Sequence, residues 1–199
     1  MKNILLIITI SSLFSLFKSQ SVVIDINDSQ LNQPIGYYSK DIHNVLNQFE
    51  GTYLYSNGNT SLKIVLVKKI KQYNSSYYED LIIGEYQYIV NGVEKINTLS
   101  NLNVVYNNQY IKHAIAGDYT IDNNTRLWKC PQCNPNEKRL RAKIIDRITN
   151  RYASIYMRKT TVGAQEVLQV KIANIKADTE NMNPPDFSLP KGEFTMIKQ

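Results

Sequence analysis

The chain has 199 residues and a formal net charge of +6, with 20% charged and 43% hydrophobic residues. This composition excludes collagen, coiled coils and full disorder, each of which needs a stronger bias, and it is typical of one globular domain. With two His and two Cys, we do not expect chemistry that needs several of either.

The first residues predict export. Lys2 gives a short basic start, and an apolar run over residues 4–17 ends in a polar stretch, which is the layout of a secretory signal peptide. The run is shorter than the roughly 20 residues of a spanning helix. We predict a signal peptide over residues 1–19, no transmembrane segment after its cleavage, a single β-rich domain over residues 20–199 and a secreted or periplasmic location. The alternatives are an uncleaved membrane anchor and a buried first helix.

One helical pattern follows an extended lead-in that contains a short strand. Apolar residues spaced i, i+3, i+4 and i+7 lie on one stripe of a helix. The residues with this spacing are Ile42, Val45, Leu46 and Phe49. Ser39 or Asp41 can cap the start and Gly51 ends the pattern, so the sequence predicts one short helix of about three turns.

Beyond Gly51 the apolar pattern changes to a period of two, which indicates strands. Short turn signals separate them, such as Asn57-Gly58, Asn91-Gly92, Gly117-Asp118 and Thr149-Asn150. Gly84 suggests a bulge within one long strand. The predicted strands are 52–55, 61–71, 77–90, 93–99, 110–116, 119–121, 125–129, 140–148, 151–159, 165–175 and 194–197.

A chain with this many hairpins must protect its strand edges, and closure into a barrel does so completely. A two-sheet sandwich has the same alternation of apolar and polar side chains. The helix before the first strand favours a barrel, because its apolar stripe can cover one open end. We therefore predict a mainly β fold, an antiparallel lipocalin-like barrel or a two-sheet sandwich, with one short N-terminal helix.

Two resemblances support this prediction. The segment Phe49-Glu50-Gly51-Thr52-Tyr53 resembles the opening of lipocalins and other calycins, in which the aromatic residue is usually Trp and closes the base of the barrel. The segments FEGTYLYSNG, YYEDLIIGEYQYIVNGVEKINTL and PPDFSLP resemble an uncharacterised family, a domain of unknown function, of small secreted proteins from flavobacteria-type bacteria. This second resemblance implies export and a compact domain, and it supplies no activity, cofactor or site residue.

The sharpest local motif is Cys130-Pro131-Gln132-Cys133. In an exported chain with two cysteines, a disulfide that fixes a tight turn is the favoured interpretation. A zinc site would need further ligands, for which His43 and His113 are the only histidines. A redox pair would need a thioredoxin-like βαβ setting.

Tyrosine is unusually frequent, with 14 residues. Inside a barrel, tyrosines can line an apolar pocket and orient a ligand through their hydroxyls. The alternative is ordinary strand propensity, in which Tyr fills half-buried faces. The candidate ligand-binding residues are Tyr53, Tyr55, Tyr86, Tyr88, Tyr152 and Tyr156.

No motif points to catalysis, a metal site or a cofactor, and we predict that the protein is not an enzyme. The basic runs over residues 63–71 and 138–151 favour solvent-facing strands over a nucleic-acid surface. The sequence predicts an exported protein that binds a small apolar or amphipathic ligand in its barrel. The alternative is an envelope-associated structural or protein-interaction module with a filled core, whose protein partner the sequence does not identify.

Overall fold

A computed structural model describes residues 21–123, 125–177 and 185–199. The predicted signal peptide lies outside these residues. Within them, no helix has the length and apolar character needed to cross a membrane. The strands are β1 Val23–Asp25, β2 Tyr38–Lys40, β3 Gly51–Asn57, β4 Thr60–Tyr73, β5 Tyr78–Val90, β6 Val93–Asn97, β7 Ile115–Ile121, β8 Arg139–Asp146, β9 Arg151–Val162, β10 Gln165–Lys176 and β11 Gly192–Lys198; the helices are α1 Gln109–Lys112 and two 3-10 helices, Val45–Phe49 and Leu99–Asn103.

Eight strands close into an antiparallel barrel, which confirms the mainly β prediction and selects the barrel over the sandwich. The order is β5-β4-β3-β11-β10-β9-β8-β7, and β7 pairs back with β5. The closing contact joins Ile82–Gly84 to Ile115–Gly117. Because every barrel strand then has two neighbours, the barrel leaves no open edge around its circumference. The short β2 extends the sheet in parallel beside the start of β5, with β1 outside it.

Alternation along the strands fills the barrel interior with apolar side chains. On β4, Leu62, Ile64 and Leu66 are fully buried, while Lys63 and Val65 between them are partly exposed. Side chains of the same phase on the other barrel strands join them in one continuous cluster. Burial of this apolar surface is the main stabilising contribution to the fold.

The helical segment is shorter than the sequence pattern predicted. It is a 3-10 helix over Val45–Phe49, with Leu46 and Phe49 buried in the barrel cluster, while Ile42 is 49% exposed. The N-cap residue is Asn44, and not Ser39 or Asp41 as predicted. The Asp41 carboxylate nevertheless accepts the backbone N–H groups of Val45 at 2.7 Å and Leu46 at 2.9 Å. The helix contacts β4, β5 and β9, so it covers one end of the barrel, as expected.

Four local predictions were wrong. Gly117-Asp118 is an irregularity within β7, between Ala116 and Tyr119, and not a turn between two strands. Gly84 is no bulge; the pairing with β4 runs regularly through it, and a Cβ there would meet the Leu66 side chain at 2.6 Å. Residues 125–129 form no strand, and the predicted strand 110–116 begins as helix α1. A short stretch of sequence does not reveal these outcomes, because they depend on pairing between strands that lie far apart in the chain.

Candidate functional site

Four of the six candidate tyrosines belong to the barrel interior. Tyr53 and Tyr86 are fully buried and Tyr88 nearly so. Tyr55 is partly buried and packs on Phe194, with ring centroids 4.9 Å apart. These four therefore belong to one apolar cluster, as the alternation predicted.

The hydroxyls of two buried tyrosines are already used by the fold. Tyr86 Oη donates to the Ile145 carbonyl at 3.2 Å and accepts the Arg147 N–H at 2.9 Å. Tyr53 Oη donates to the Glu50 carbonyl at 3.3 Å. A buried hydroxyl with a backbone partner is satisfied, so these two hydroxyls stabilise the barrel.

The remaining two candidates lie outside the barrel, so the expectation that all six share an interior pocket is wrong. Tyr156 is buried in a separate cluster with Ile121 and Trp128. Tyr152 is 40% exposed. On β9, Ala153, Ile155 and Met157 point into the barrel and join its apolar cluster. The two tyrosines lie at the alternate positions and point outward. Ligand binding by any of the six tyrosines stays a prediction.

The outer face of the barrel carries two adjoining clefts, with volumes of about 790 and 640 Å³. We call the two together the outer cleft. They share Tyr110, Asp118 and Tyr119 in their walls. We call the larger one the acidic lobe, since Asp28, Glu79 and Asp118 line it. The smaller one is the basic lobe, since it is lined by Arg141, Lys143 and Lys176.

Glu79 lies at the start of β5, on its outer face. It is 2% exposed, and burial raises the pKa of its carboxyl to about 7, with a further increase from the nearby Asp118 charge. Hydrogen bonds from Asn74 and Tyr77 oppose this increase. Since burial disfavours the charged form of a carboxyl, Glu79 exchanges its proton near neutral pH.

Asp118 reaches the same lobe from β7. Burial also raises the pKa of its carboxyl, to about 6. Its position depends on Gly117, where a Cβ would lie 2.6 Å from the Ala142 Cα and 2.8 Å from the Arg141 carbonyl. Glycine thus allows β7 to approach β8 closely, and the break in register there places Asp118 in the cleft wall.

Tyrosine rings form the apolar walls of the acidic lobe. Tyr77 stacks on Tyr37, with centroids 4.5 Å apart and planes 13° apart. Tyr110 and Tyr119 stand where the two lobes meet. Burial raises the pKa of Tyr77 and of Tyr110, and the charges of Glu79 and Asp118 raise both further. These hydroxyls therefore stay protonated and can donate hydrogen bonds.

The basic lobe begins on the other side of Tyr110. Lys143 Nζ donates to the Tyr110 carbonyl at 3.0 Å and lies 5.0 Å from the centroid of its ring. Burial lowers the pKa of Lys143 to about 8, and the Arg147 charge lowers it further. Opposite charges thus line the two lobes on either side of one aromatic side chain.

Two further buried polar groups serve the fold. Asp80, next to Glu79 but on the opposite face as alternation requires, accepts hydrogen bonds from Tyr38 Oη at 2.5 Å and from the backbone N–H groups of Asp41 at 3.0 Å and Lys71 at 2.8 Å. These bonds attach the N-terminal segment and the 3-10 helix to β5.

The second group is a buried contact between His113 and Glu85. His113 Nδ1 lies 2.8 Å from Glu85 Oε1, and Nε2 lies 2.6 Å from Gln109 Oε1. The Gln109 amide nitrogen donates to the Tyr106 carbonyl, which orients its oxygen towards the ring. Both imidazole nitrogens therefore face acceptors. No sequence pattern predicts this contact, because His113 and Glu85 are distant in the chain.

The cysteine motif is a loop anchor. The sulfur atoms of Cys130 and Cys133 lie at disulfide distance, as predicted. The Asn123 amide donates to both cysteine carbonyls and its oxygen accepts the Cys130 N–H. Across the described ranges, no group of three or more His, Cys, Asp or Glu could hold a metal ion, and His43 is exposed before the 3-10 helix.

Comparison with known proteins gives one match. A model of the family described as "Family of unknown function (DUF6705)" matches residues 1–199. No curated protein matches the chain, and no solved structure matches it.

Proposed function

We propose that this chain, which belongs to the family of unknown function DUF6705, is an exported binding protein whose small amphipathic ligand occupies the outer cleft. Secretion or a periplasmic location, like the signal peptide, is part of this proposal. A disulfide-distance cysteine pair supports an oxidising compartment. The proposal keeps the ligand class predicted from the sequence and moves its site from the barrel interior to the outside.

The observation that carries the proposal is the contrast between the interior and the outer cleft. The interior holds packed side chains, among them Phe49, Tyr53 and Tyr86, that are fully buried. The acidic lobe has about 790 Å³ of space, aromatic walls and inward-facing polar groups. Ligand pockets combine an apolar lining with a few polar groups that orient the ligand, and the outer cleft has both.

Nuclear magnetic resonance of the ¹⁵N-labelled mature protein tests this location. Small aromatic probes are added, and the amide shifts are mapped. We expect the largest shifts at Asn27–Ser29, Tyr77, Asn108 and Asp118, which line the cleft. Shifts confined to interior strand positions such as Ile64 and Ile155 would contradict the proposal and restore the barrel interior as the site.

A matched pair of variants sharpens the same experiment. Tyr119→Ser removes an exposed ring that lines both lobes, and Tyr73→Ser removes an exposed ring that does not line either. We expect probe affinity to fall at least about fivefold in the first variant and to stay unchanged in the second, since aromatic contacts contribute on the order of 1 kcal/mol. Equal losses would argue against the cleft.

A filled barrel core also favours the second candidate, an envelope-associated interaction module. Several large apolar side chains are exposed, including Ile35 at 94% and Val105 at 87%. A photo-crosslinking residue at position 35, compared in the native host with one at the exposed Ile70, tests this function. Partner-specific crosslinks from position 35 alone would support it, and none from either position would count against it.

We also propose that the protein is not an enzyme. The observation that favours the opposite is the pair Glu79 and Asp118, whose pKa values of about 7 and about 6 suit acid–base chemistry. A panel of chromogenic glycosides and esters, assayed with wild type and with Glu79→Gln, separates the two. Turnover that disappears in the variant would overturn the non-enzymatic proposal.

A further inference from the structure

We propose that the acidic lobe selects ligands that carry an organic ammonium group, which lies between the two carboxyls and the tyrosine rings. This inference rests on the proposed function, because it assigns a ligand class to the same cleft. It adds a charge requirement, which the cleft's shape alone does not impose.

The side chains that line the acidic lobe carry an excess of negative charge. Asp28, Glu79 and Asp118 line it, and its lining residues include no Lys or Arg. Within the described part of the chain, neither Glu79 nor Asp118 forms a salt bridge. Glu79 is buried and Asp118 partly buried, and two such neighbouring carboxyls are costly to ionise together unless a cation accompanies them. A bound ammonium group provides that charge, and one that carries N–H groups also donates hydrogen bonds to the carboxyls.

Tyrosine rings line the acidic lobe together with these carboxyls. A cation is attracted to the face of a tyrosine ring within about 6 Å of its centroid. Tyr37 covers one face of Tyr77, and Tyr77 lines the lobe. Tyr110 already has such a contact with the chain's own Lys143, whose Nζ lies 5.0 Å from the ring centroid. Tyr119 adds an exposed ring at the junction of the lobes.

The side chains that line the lobe also determine which kind of cation it suits. A calcium ion takes six to eight oxygen ligands, and its stronger sites include several carboxylates. Among the described residues, no group of three or more His, Cys, Asp or Glu side chains could hold a metal ion. A calcium ion is held by oxygen ligands, whereas the faces of tyrosine rings attract an organic ammonium. The lobe therefore suits an ammonium group attached to an apolar body.

Isothermal titration calorimetry of the mature protein at pH 8 tests the charge requirement with probes of one size. Benzylamine and benzyltrimethylammonium carry the cation, benzyl alcohol is neutral, phenylacetate is anionic, and calcium chloride tests for a metal site. We expect the two cations to bind at least tenfold more tightly than benzyl alcohol, with no heat from phenylacetate. Calcium binding that displaces benzylamine would overturn the organic ligand class.

Variants connect this preference to the carboxyls. Glu79→Gln and Asp118→Asn each remove one charge from the lobe, and Glu193→Gln removes one from β11, on the opposite side of the barrel. We expect benzylamine affinity to fall tenfold or more in each lobe variant and to stay within twofold in the control. Benzyl alcohol affinity should change little in all three. Wild-type benzylamine affinity in both lobe variants would overturn the proposal.

The pH dependence adds an independent readout. The titratable groups facing Glu79 are Asp118, Tyr37, Tyr77 and Tyr110, and Arg141 and Lys143 lie on the far side of Tyr110. With a pKa of about 7, the ionised fraction of Glu79 rises from about one hundredth at pH 5 to about nine tenths at pH 8. Benzylamine affinity should therefore rise at least tenfold over this interval, and a flat profile would contradict the proposal.

The outcomes separate the two proposals. If benzyl alcohol and the cations bind the cleft equally well, the ammonium preference fails and the binding function stands. If no probe binds and no cleft amide shifts, both fail. Binding of cations alone, lost in the lobe variants, supports both.

Discussion

Replacing Glu79 by Gln should change how stability depends on pH. The carboxyl is 2% exposed and its pKa rises from an ordinary 4.5 to about 7, first because of burial and then because of Asp118. The folded protein therefore keeps this proton over a range in which the unfolded chain releases it. The stabilisation from this group is complete below about pH 4.5 and is lost as the pH rises to about 7.

The magnitude follows from this interval. A difference between 4.5 and about 7 corresponds to about 3 kcal/mol of unfolding free energy, most of it lost between pH 5 and pH 8. Gln has nearly the same shape and no charge, so the variant lacks this loss. The new amide must find hydrogen-bond partners, and a missing one costs about 1–3 kcal/mol at every pH. The informative quantity is therefore the change with pH of the difference between variant and wild type.

Urea unfolding at pH 5, 6, 7 and 8, with the disulfide intact, measures this quantity. We expect Glu79→Gln to gain about 2–3 kcal/mol on wild type between pH 5 and pH 8. Asp118→Asn should lower the pKa of Glu79 and so weaken the wild-type loss, and the double variant should be non-additive. Glu193→Gln controls for net charge. Parallel profiles for Glu79→Gln and wild type would refute this reasoning.

Three other predictions concern the frame around the cleft. Glu85→Gln leaves His113 buried without its carboxylate and should cost about 3–5 kcal/mol of unfolding free energy; a loss below about 1 kcal/mol would show that the pair contributes little. Gly117→Ala places a methyl group against the backbone of β8 and should cost about 1–3 kcal/mol and weaken probe binding, which thermal melts and calorimetry measure; wild-type values would show that the close approach is dispensable. Replacing Cys130 and Cys133 by Ser opens a loop with a sequence separation of 3, so urea unfolding should show a loss of only about 2 kcal/mol, and a loss above about 4 kcal/mol would contradict the loop-length argument.

Three segments of the sequence predicted membership of a family of unknown function, and this membership is confirmed over residues 1–199. Neither the match nor the fold supplies a ligand. The function therefore has to be tested through the chemistry of the cleft.

Local pattern by itself determined most of the barrel strands and the inner and outer faces of those strands. The side-chain period of a strand is two, so Leu62, Ile64 and Leu66 could be assigned to one buried face from their spacing. The turn at Asn91-Gly92 was equally local, because type I′ geometry favours that dipeptide. The disulfide followed from composition and the predicted exported context.

Tertiary structure alone decided how the barrel closes and what lies on its outside. The contact between β5 and β7 brings Glu79 and Asp118, 39 positions apart in the chain, into one cleft. The same closure requires a glycine at position 117. It also produces a break in the register of β7 at Gly117-Asp118, where the sequence pattern had predicted a turn. Side chains that meet through strand pairing at long range leave no periodic trace in the sequence, because their proximity depends on the register of all the strands between them.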